Sequence, residues 1–142
     1  MADLDRGSKT YRNLEDALAI ESEASFRYLH FARQADIEGY ADVGALFRDR
    51  AKAEVDRALG HLDYLEAVCD AATESPIGPT LRNLRAAVAE ETYACTKLYP
   101  GMARIARDEG FTEVAEWFET LAKAEMPHAE RFQRELERLS VL

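Results

Sequence analysis

The sequence has few cysteines, glycines and prolines, and it lacks a long apolar run. Two cysteines, Cys69 and Cys95, are too few for a disulfide framework or a four-cysteine metal site, so we expect reduced thiols. No segment approaches the ~18 apolar residues of a membrane span, and the first residues lack the apolar stretch of a signal peptide. These absences predict a cytoplasmic protein with no membrane partner.

Positive charge is also scarce. Eighteen Lys and Arg stand against 27 Asp and Glu, which gives a net charge of −9. A chain with this balance presents no dominant basic face, so nucleic acid is excluded as an expected partner. Apolar residues nevertheless make up 47% of the 142 residues, with only seven Gly and four Pro. This composition is typical of one compact helical domain and excludes low-complexity disorder.

Apolar residues recur at steps of three and four along most of the chain, which is the period of amphipathic helices. Pro76, Gly78 and Pro79 interrupt this period, and Thr80 is a plausible cap for the helix that follows. A dozen extended residues reach roughly 40 Å, about the length of one helix. The pattern predicts helices at about 14–35, 43–68, 81–108 and 112–139, with a crossover at 69–80.

The chain also contains an internal repeat, which constrains the fold more than any single propensity. Its two halves share a set of residues in the same order: Asn13-Leu14, Glu21, Tyr28, Ala32, Glu38-Gly39, Phe47 and Ala53-Glu54 correspond to Asn83-Leu84, Glu91, Tyr99, Ala103, Glu109-Gly110, Phe118 and Ala124-Glu125. The offset is 70 residues through Glu91 and 71 from Tyr99 onward. We therefore predict one extra residue in the third helix, held as a π-bulge beside Tyr99-Pro100-Gly101.

Two related helical hairpins joined by a long crossover describe an all-α, ferritin-like antiparallel four-helix bundle. We expect this domain to occupy residues 8–139, after an N-terminal extension of residues 1–7. The Glu-Gly-aromatic sequence recurs at the end of the first and third helices, where glycine can adopt the left-handed conformation that ends a helix.

Four glutamates lie on the apolar faces of the predicted helices, where a hydrophobic core is expected: Glu21, Glu54, Glu91 and Glu125. His128 follows Glu125 by three residues, a spacing that lets both side chains reach one centre. Four buried carboxylates require positive charge nearby, because an unpaired buried charge costs several kcal/mol or is neutralised. Glutamate oxygens with one imidazole nitrogen suit iron, with manganese or zinc as alternatives.

These motifs together resemble the di-iron domain of the rubrerythrins over roughly residues 8–134. The shared elements are Asn-Leu-x6-Glu-Ser, Phe-Ala-x5-Glu-Gly-Tyr, Ala-Glu54-x5-Gly60-His61-Leu62, Tyr99-Pro100, Glu109-Gly110-Phe111 and Ala-Glu125-x-x-His128. The resemblance implies a ferritin-like homodimer whose iron pair reduces hydrogen peroxide. It also implies an external electron donor of the rubredoxin type.

The same resemblance implies a role for each candidate ligand. Glu54 and Glu125 would bridge two metal ions, Glu21 would be a terminal ligand of one, and Glu91 with His128 would complete the other. Tyr28 and Tyr99 match tyrosines near the family's metals, where a hydroxyl can donate a hydrogen bond to a ligand. Each tyrosine has an equally simple interpretation as a core aromatic.

Two positions depart from the family pattern. The family has Glu-x-x-His in the second helix, whereas this sequence has Arg57 three residues after Glu54. Arginine stays protonated and has no lone pair for a cation, so Arg57 is a candidate neighbour of the metal and not a ligand. The family's extra glutamate in the third helix is replaced by Ala94. These changes leave two metal ions, one ion or a metal-free polar core as open alternatives.

Three further residues have side chains that can bind a metal: Cys95, His61 and His30. Cys95 follows Glu91 by four residues, and we interpret it as a small buried apolar residue in preference to a metal ligand. His61 belongs to the family pattern without being one of its usual ligands, so we expect it to cap or support the site. His30 lies off the glutamate face, and we expect it at the surface.

Overall fold

A computed structural model describes residues 4–66 and 79–141, and its regular structure within these ranges is helical throughout. The chain divides into two compact units after Ile77. None of the described helices is both long and apolar enough to cross a membrane. The prediction of an all-α chain is confirmed, whereas the predicted crossover segment up to residue 78 lies outside the described residues.

The first unit is a hairpin of two long helices, α1 (Lys9–Ile37) and α2 (Ala41–Glu66). Ser8 caps α1, since its hydroxyl accepts a hydrogen bond from the Tyr11 N–H at 3.1 Å. The helix therefore begins five residues before the predicted start at residue 14. Gly39 ends the turn with a φ of 87°, a conformation that glycine adopts without steric cost.

The second unit is a hairpin whose first arm has three parts. The arm consists of α3 (Thr80–Tyr93), a π-helical segment (Ala94–Leu98) and α4 (Tyr99–Asp108), and it is followed by α5 (Thr112–Ser140). The π-helical segment confirms the predicted extra residue next to Tyr99. The predicted cap at Thr80 is wrong, because Thr80 is already helical and Pro79 is the N-cap residue, with no side-chain hydrogen bond.

The two hairpins share their turn geometry and their aromatic packing, as the repeat predicts. Gly110 has the same φ of 87° as Gly39. After each glycine, the next N–H reaches back to a carbonyl five residues earlier at 2.8 Å. Within each hairpin, one pair of aromatic rings stacks between the two arms. Tyr28 packs on Phe47 with ring centroids 6.0 Å apart, and Tyr99 packs on Phe118 with ring centroids 6.1 Å apart.

Small residues form the closest packing inside each hairpin. The buried residues are mostly alanines, among them Ala32, Ala51, Ala58, Ala103, Ala115 and Ala129. Several large apolar side chains are exposed instead, such as Phe26 and Trp117 at 73% and 59%. Close helix pairing within a hairpin therefore uses alanine, and each hairpin retains apolar surface.

Candidate metal centre

Three predicted ligands come together in the second hairpin. Glu125 and His128 lie one turn apart on α5, and Glu91 approaches them from α3. One ligand atom from each of the three side chains lies within 4.8 Å of the other two. Glu91 and Glu125 are half-buried, and His128 is exposed. Across residues 4–66 and 79–141, no other three His, Cys, Asp or Glu side chains come this close.

The electrostatics of this cluster favour a cation. The pKa of Glu91 is raised, chiefly because its side chain hydrogen-bonds to Glu125. Partial burial and repulsion from the Glu125 carboxylate raise it further, whereas the positive charge of His128 opposes the shift. The neighbouring carboxylate thus disfavours the ionised form of Glu91. A bound cation relieves this repulsion, and the oxygen and nitrogen donors suit iron, manganese or zinc.

One member of the cluster, His128, borders a cavity. His128 lines a cavity of about 520 Å³ together with Pro127, Arg131 and Phe132. A small ligand therefore has space beside the imidazole, and the guanidinium of Arg131 contributes positive charge to the cavity wall.

In the first hairpin, Glu54 is held by two arginines of its own helix. Its side chain is only 8% exposed, and its Oε1 accepts hydrogen bonds from Arg57 at 3.3 Å and Arg50 at 3.4 Å. Both arginine side chains are about half exposed. Arg57 therefore contacts a predicted ligand and also extends toward solvent. Two guanidinium groups provide the positive charge that this buried carboxylate requires.

Glu21 of α1 faces His61 of α2. Glu21 Oε2 and His61 Nε2 are 3.9 Å apart, which exceeds hydrogen-bonding distance. Both atoms are buried, and neither has a hydrogen-bond partner among the described residues. The first hairpin thus contains a carboxylate and an imidazole that face each other at ion-pair distance without a hydrogen bond.

The structure also places the two candidate tyrosines, Cys95, His30 and Ala94. The rings of Tyr28 and Tyr99 pack in the aromatic pairs, and the metal-supporting role of their hydroxyl groups stays a prediction. Cys95 is buried in the π-helical segment, where its thiol donates to the Thr92 carbonyl at 3.5 Å, which confirms its interpretation as a buried residue. His30 is exposed, as expected. Ala94 is the first residue of the π-helical segment.

Sequence reasoning missed two features of the first hairpin. Arg50 lies four residues before Glu54, a spacing that predicts contact on a helix. Only Arg57 was considered from the sequence, so the Arg50–Glu54 contact was not predicted. The approach of His61 to Glu21 depends on how α1 and α2 pair. The sequence predicts only that His61 lies on the same face of α2 as Glu54, because the two residues are seven positions apart.

Comparisons with known proteins agree with the resemblance. A family model described as Rubrerythrin matches residues 12–136. A rubrerythrin from Porphyromonas gingivalis is 40% identical over 131 residues, which cover 89% of this chain and 66% of that protein. A rubrerythrin from Nitratidesulfovibrio vulgaris is 37% identical over 131 residues, with 89% and 69% covered. A symerythrin from Cyanophora paradoxa is 29% identical over 154 residues, with 93% and 85% covered.

Proposed function

The chain belongs to the rubrerythrin family, and on that premise we propose that it is an iron protein that reduces hydrogen peroxide or dioxygen. The observation that supports the proposal is the cluster of Glu91, Glu125 and His128, whose ligand atoms lie within 4.8 Å of one another. The chain spans 66% of the length of the Porphyromonas gingivalis rubrerythrin. The activity, substrate and partners of this chain are therefore part of the proposal.

The residues of the cluster fit an iron ion. Glu91 and Glu125 offer oxygen donors from two different helices, and His128 offers an imidazole nitrogen. Manganese and zinc accept the same donors, so metal identity depends on supply as well as on ligand type. Glu21 and Glu54 complete the proposed ligand set, as the family resemblance implies.

Bound iron would supply electrons to the O–O bond of peroxide, with the overall balance of one peroxide, two electrons and two protons giving two waters. The protein's own part is to hold and exchange protons. The raised pKa of Glu91 means that this carboxyl holds its proton to a higher pH than a free glutamate does, and a cation that binds there competes with that proton. Arg131 lines the cavity beside His128.

We further propose an external electron donor such as a rubredoxin-type protein, because the two cysteines of these 142 residues cannot build a four-cysteine iron centre. We also propose a homodimer, which the exposed apolar side chains of Phe26 and Trp117 support, because apolar surface of this kind favours association. Light scattering of the purified protein measures this directly.

The main test is metal analysis of protein purified without oxygen, followed by peroxide turnover with a supplied reductant and a rubredoxin-type donor. We expect bound iron, turnover that requires it, and a lower melting temperature after chelation, because a ligand that binds only the folded state stabilises it. Glu125→Gln keeps the side-chain shape but removes a charged oxygen donor, and it should lower both iron content and turnover.

Two results would contradict parts of this proposal. Stable iron binding without any turnover would remove the enzymatic function and leave a metal-binding protein. A melting temperature that does not respond to chelator, together with no bound metal, would leave a polar core neutralised by arginine.

A further inference from the structure

The first hairpin contains a pair of buried polar atoms, Glu21 Oε2 and His61 Nε2, whose 3.9 Å separation is an ion-pair distance when the imidazole is protonated but is not a hydrogen bond. Neither atom has a hydrogen-bond partner among the described residues, and both are shielded from solvent. A buried polar group without a partner is costly, so such a pair points to something that binds between the two side chains. The two atoms come from different helices of one hairpin, and the pairing of α1 and α2 fixes their separation.

We infer that Glu21 and His61 ligate a divalent cation in the first hairpin, with His61 supplying the imidazole that Arg57 cannot. This inference rests on the proposed metal-binding function. It adds a ligand that neither the family resemblance nor the cluster in the second hairpin assigns.

The distance between the two atoms fits a shared cation. Their 3.9 Å separation is too long for a hydrogen bond. Bonds of about 2.0–2.2 Å from a cation to a carboxylate oxygen and an imidazole nitrogen place the two ligand atoms roughly 3–4 Å apart, depending on the angle. The observed gap therefore accommodates one ion with little side-chain movement.

The helical spacing explains how His61 can replace the lost imidazole. His61 lies four residues after Arg57 and seven after Glu54, so all three positions follow one face of α2. The imidazole is thus displaced by one helical turn relative to the family motif. Arg57 stays near the site through its 3.3 Å hydrogen bond to Glu54.

Comparison with the second hairpin argues against a purely structural role for His61. The equivalent position there, 71 residues later, is Phe132. An apolar ring is therefore acceptable at this place in the repeat, and packing alone does not require an imidazole. A histidine that faces a buried carboxylate at this position is better explained by ligand binding.

Nuclear magnetic resonance of protein labelled with ¹⁵N-histidine tests the inference, with Zn²⁺ as a diamagnetic probe ion. The chain has three histidines, so each can be followed separately. We expect ring-nitrogen resonances of both His61 and His128 to shift on saturation, while those of exposed His30 stay unchanged. An unshifted His61 beside a shifted His128 would overturn this inference and leave the proposed function intact. If neither shifts, both fail.

Variants give a second readout, the number of ions bound per chain. His61→Phe copies the residue of the second hairpin and should preserve packing while binding about one ion fewer than the parent protein. Glu21→Gln should cause the same loss, His30→Ala should cause none, and circular dichroism checks the helices. Unchanged stoichiometry in both His61→Phe and Glu21→Gln would show that the pair is not a metal site.

Discussion

The two hairpins carry a glutamate at the same position of their second helices, but each balances it differently. Glu54 is paired with two arginines of its own helix, whereas Glu125 lies beside Glu91 and one turn before His128. Arg57 and His128 occupy equivalent positions, 71 residues apart. One repeated scaffold thus places arginines beside its glutamate in the first hairpin and potential metal ligands beside it in the second.

A second contrast lies at the ends of the hairpins. In the first hairpin, Asp36 accepts a hydrogen bond from Arg48 at 2.7 Å. At the equivalent positions of the second hairpin, Arg107 donates to Glu119 at 2.8 and 2.9 Å. The ion pair is retained while its polarity is reversed. Both hairpins thus place complementary charges at this position, with the positive and negative residues exchanged.

Removing the imidazole of the second hairpin should have the largest effect on this contrast. We expect His128→Ala to weaken binding of one ion by at least about 100-fold, because a direct ligand matters at least as much as the supporting contacts whose loss costs 10–100-fold. Competition with a chelating dye measures the affinity. His30→Ala is the matched control, and equal affinity in both variants would contradict the role of His128.

Giving the first hairpin the motif of the second should have the opposite effect. Arg57→His removes one guanidinium from Glu54 and restores Glu-x-x-His, so we expect metal affinity in this hairpin to rise about ten- to 100-fold. Adding Ala94→Glu tests whether the second departure also limits the site. Titration calorimetry on both variants gives stoichiometry and affinity, and a decrease in either quantity would show that Arg57 supports the site.

The turn glycines should respond alike in both hairpins. Alanine at Gly39 or Gly110 is strained at a φ of 87°, and each substitution should lower the free energy of unfolding by about 1 kcal/mol. Gly101→Ala is the control, since that glycine is helical and an added Cβ meets nothing within 4 Å. Urea titration measures all three variants, and a clear difference between the two turns would break the equivalence of the hairpins.

The smallest expected effect is a change of folding stability with pH, which comes from Glu91 of the second hairpin. The pKa of Glu91 is raised above its ordinary value of 4.5, so the folded metal-free protein binds this proton more tightly than the unfolded chain does. The protonated Glu91 therefore stabilises the folded state at pH values below 4.5, and this contribution to the free energy of unfolding is lost as the pH rises through the raised pKa. Melting curves of chelated protein at several pH values should show the loss, and Glu91→Gln should abolish it.

Periodicity and repetition could be read from the sequence because both are local properties. The helices, both turns at Gly39 and Gly110, and the π-bulge next to Tyr99 all follow from spacing along the chain. The approach of Glu91 to Glu125 was also predictable, since both positions lie on apolar helical faces and correspond to Glu21 and Glu54 in the repeat. These predictions required no knowledge of side-chain conformation.

The arrangement around Glu54 and Glu21 could not be predicted in the same way. Several arginines flank Glu54, and which of them bends back toward it is decided by rotamers and burial. The facing of Glu21 and His61 depends on how far one helix slides along its partner. The true start of α1 depended on Ser8, whose capping hydroxyl precedes the apolar pattern.

The π-helical segment at Ala94–Leu98 lies where the two halves of the repeat differ in length by one residue. If the hairpins descend from one duplicated ancestor, a single insertion or deletion separated the two copies between Glu91 and Tyr99. Because the wide turn absorbs the surplus residue, the glutamate and the tyrosine keep a common face although they are eight residues apart instead of seven. The two halves are therefore no longer interchangeable modules, and a chimaera that exchanges their first arms must also exchange this irregular turn.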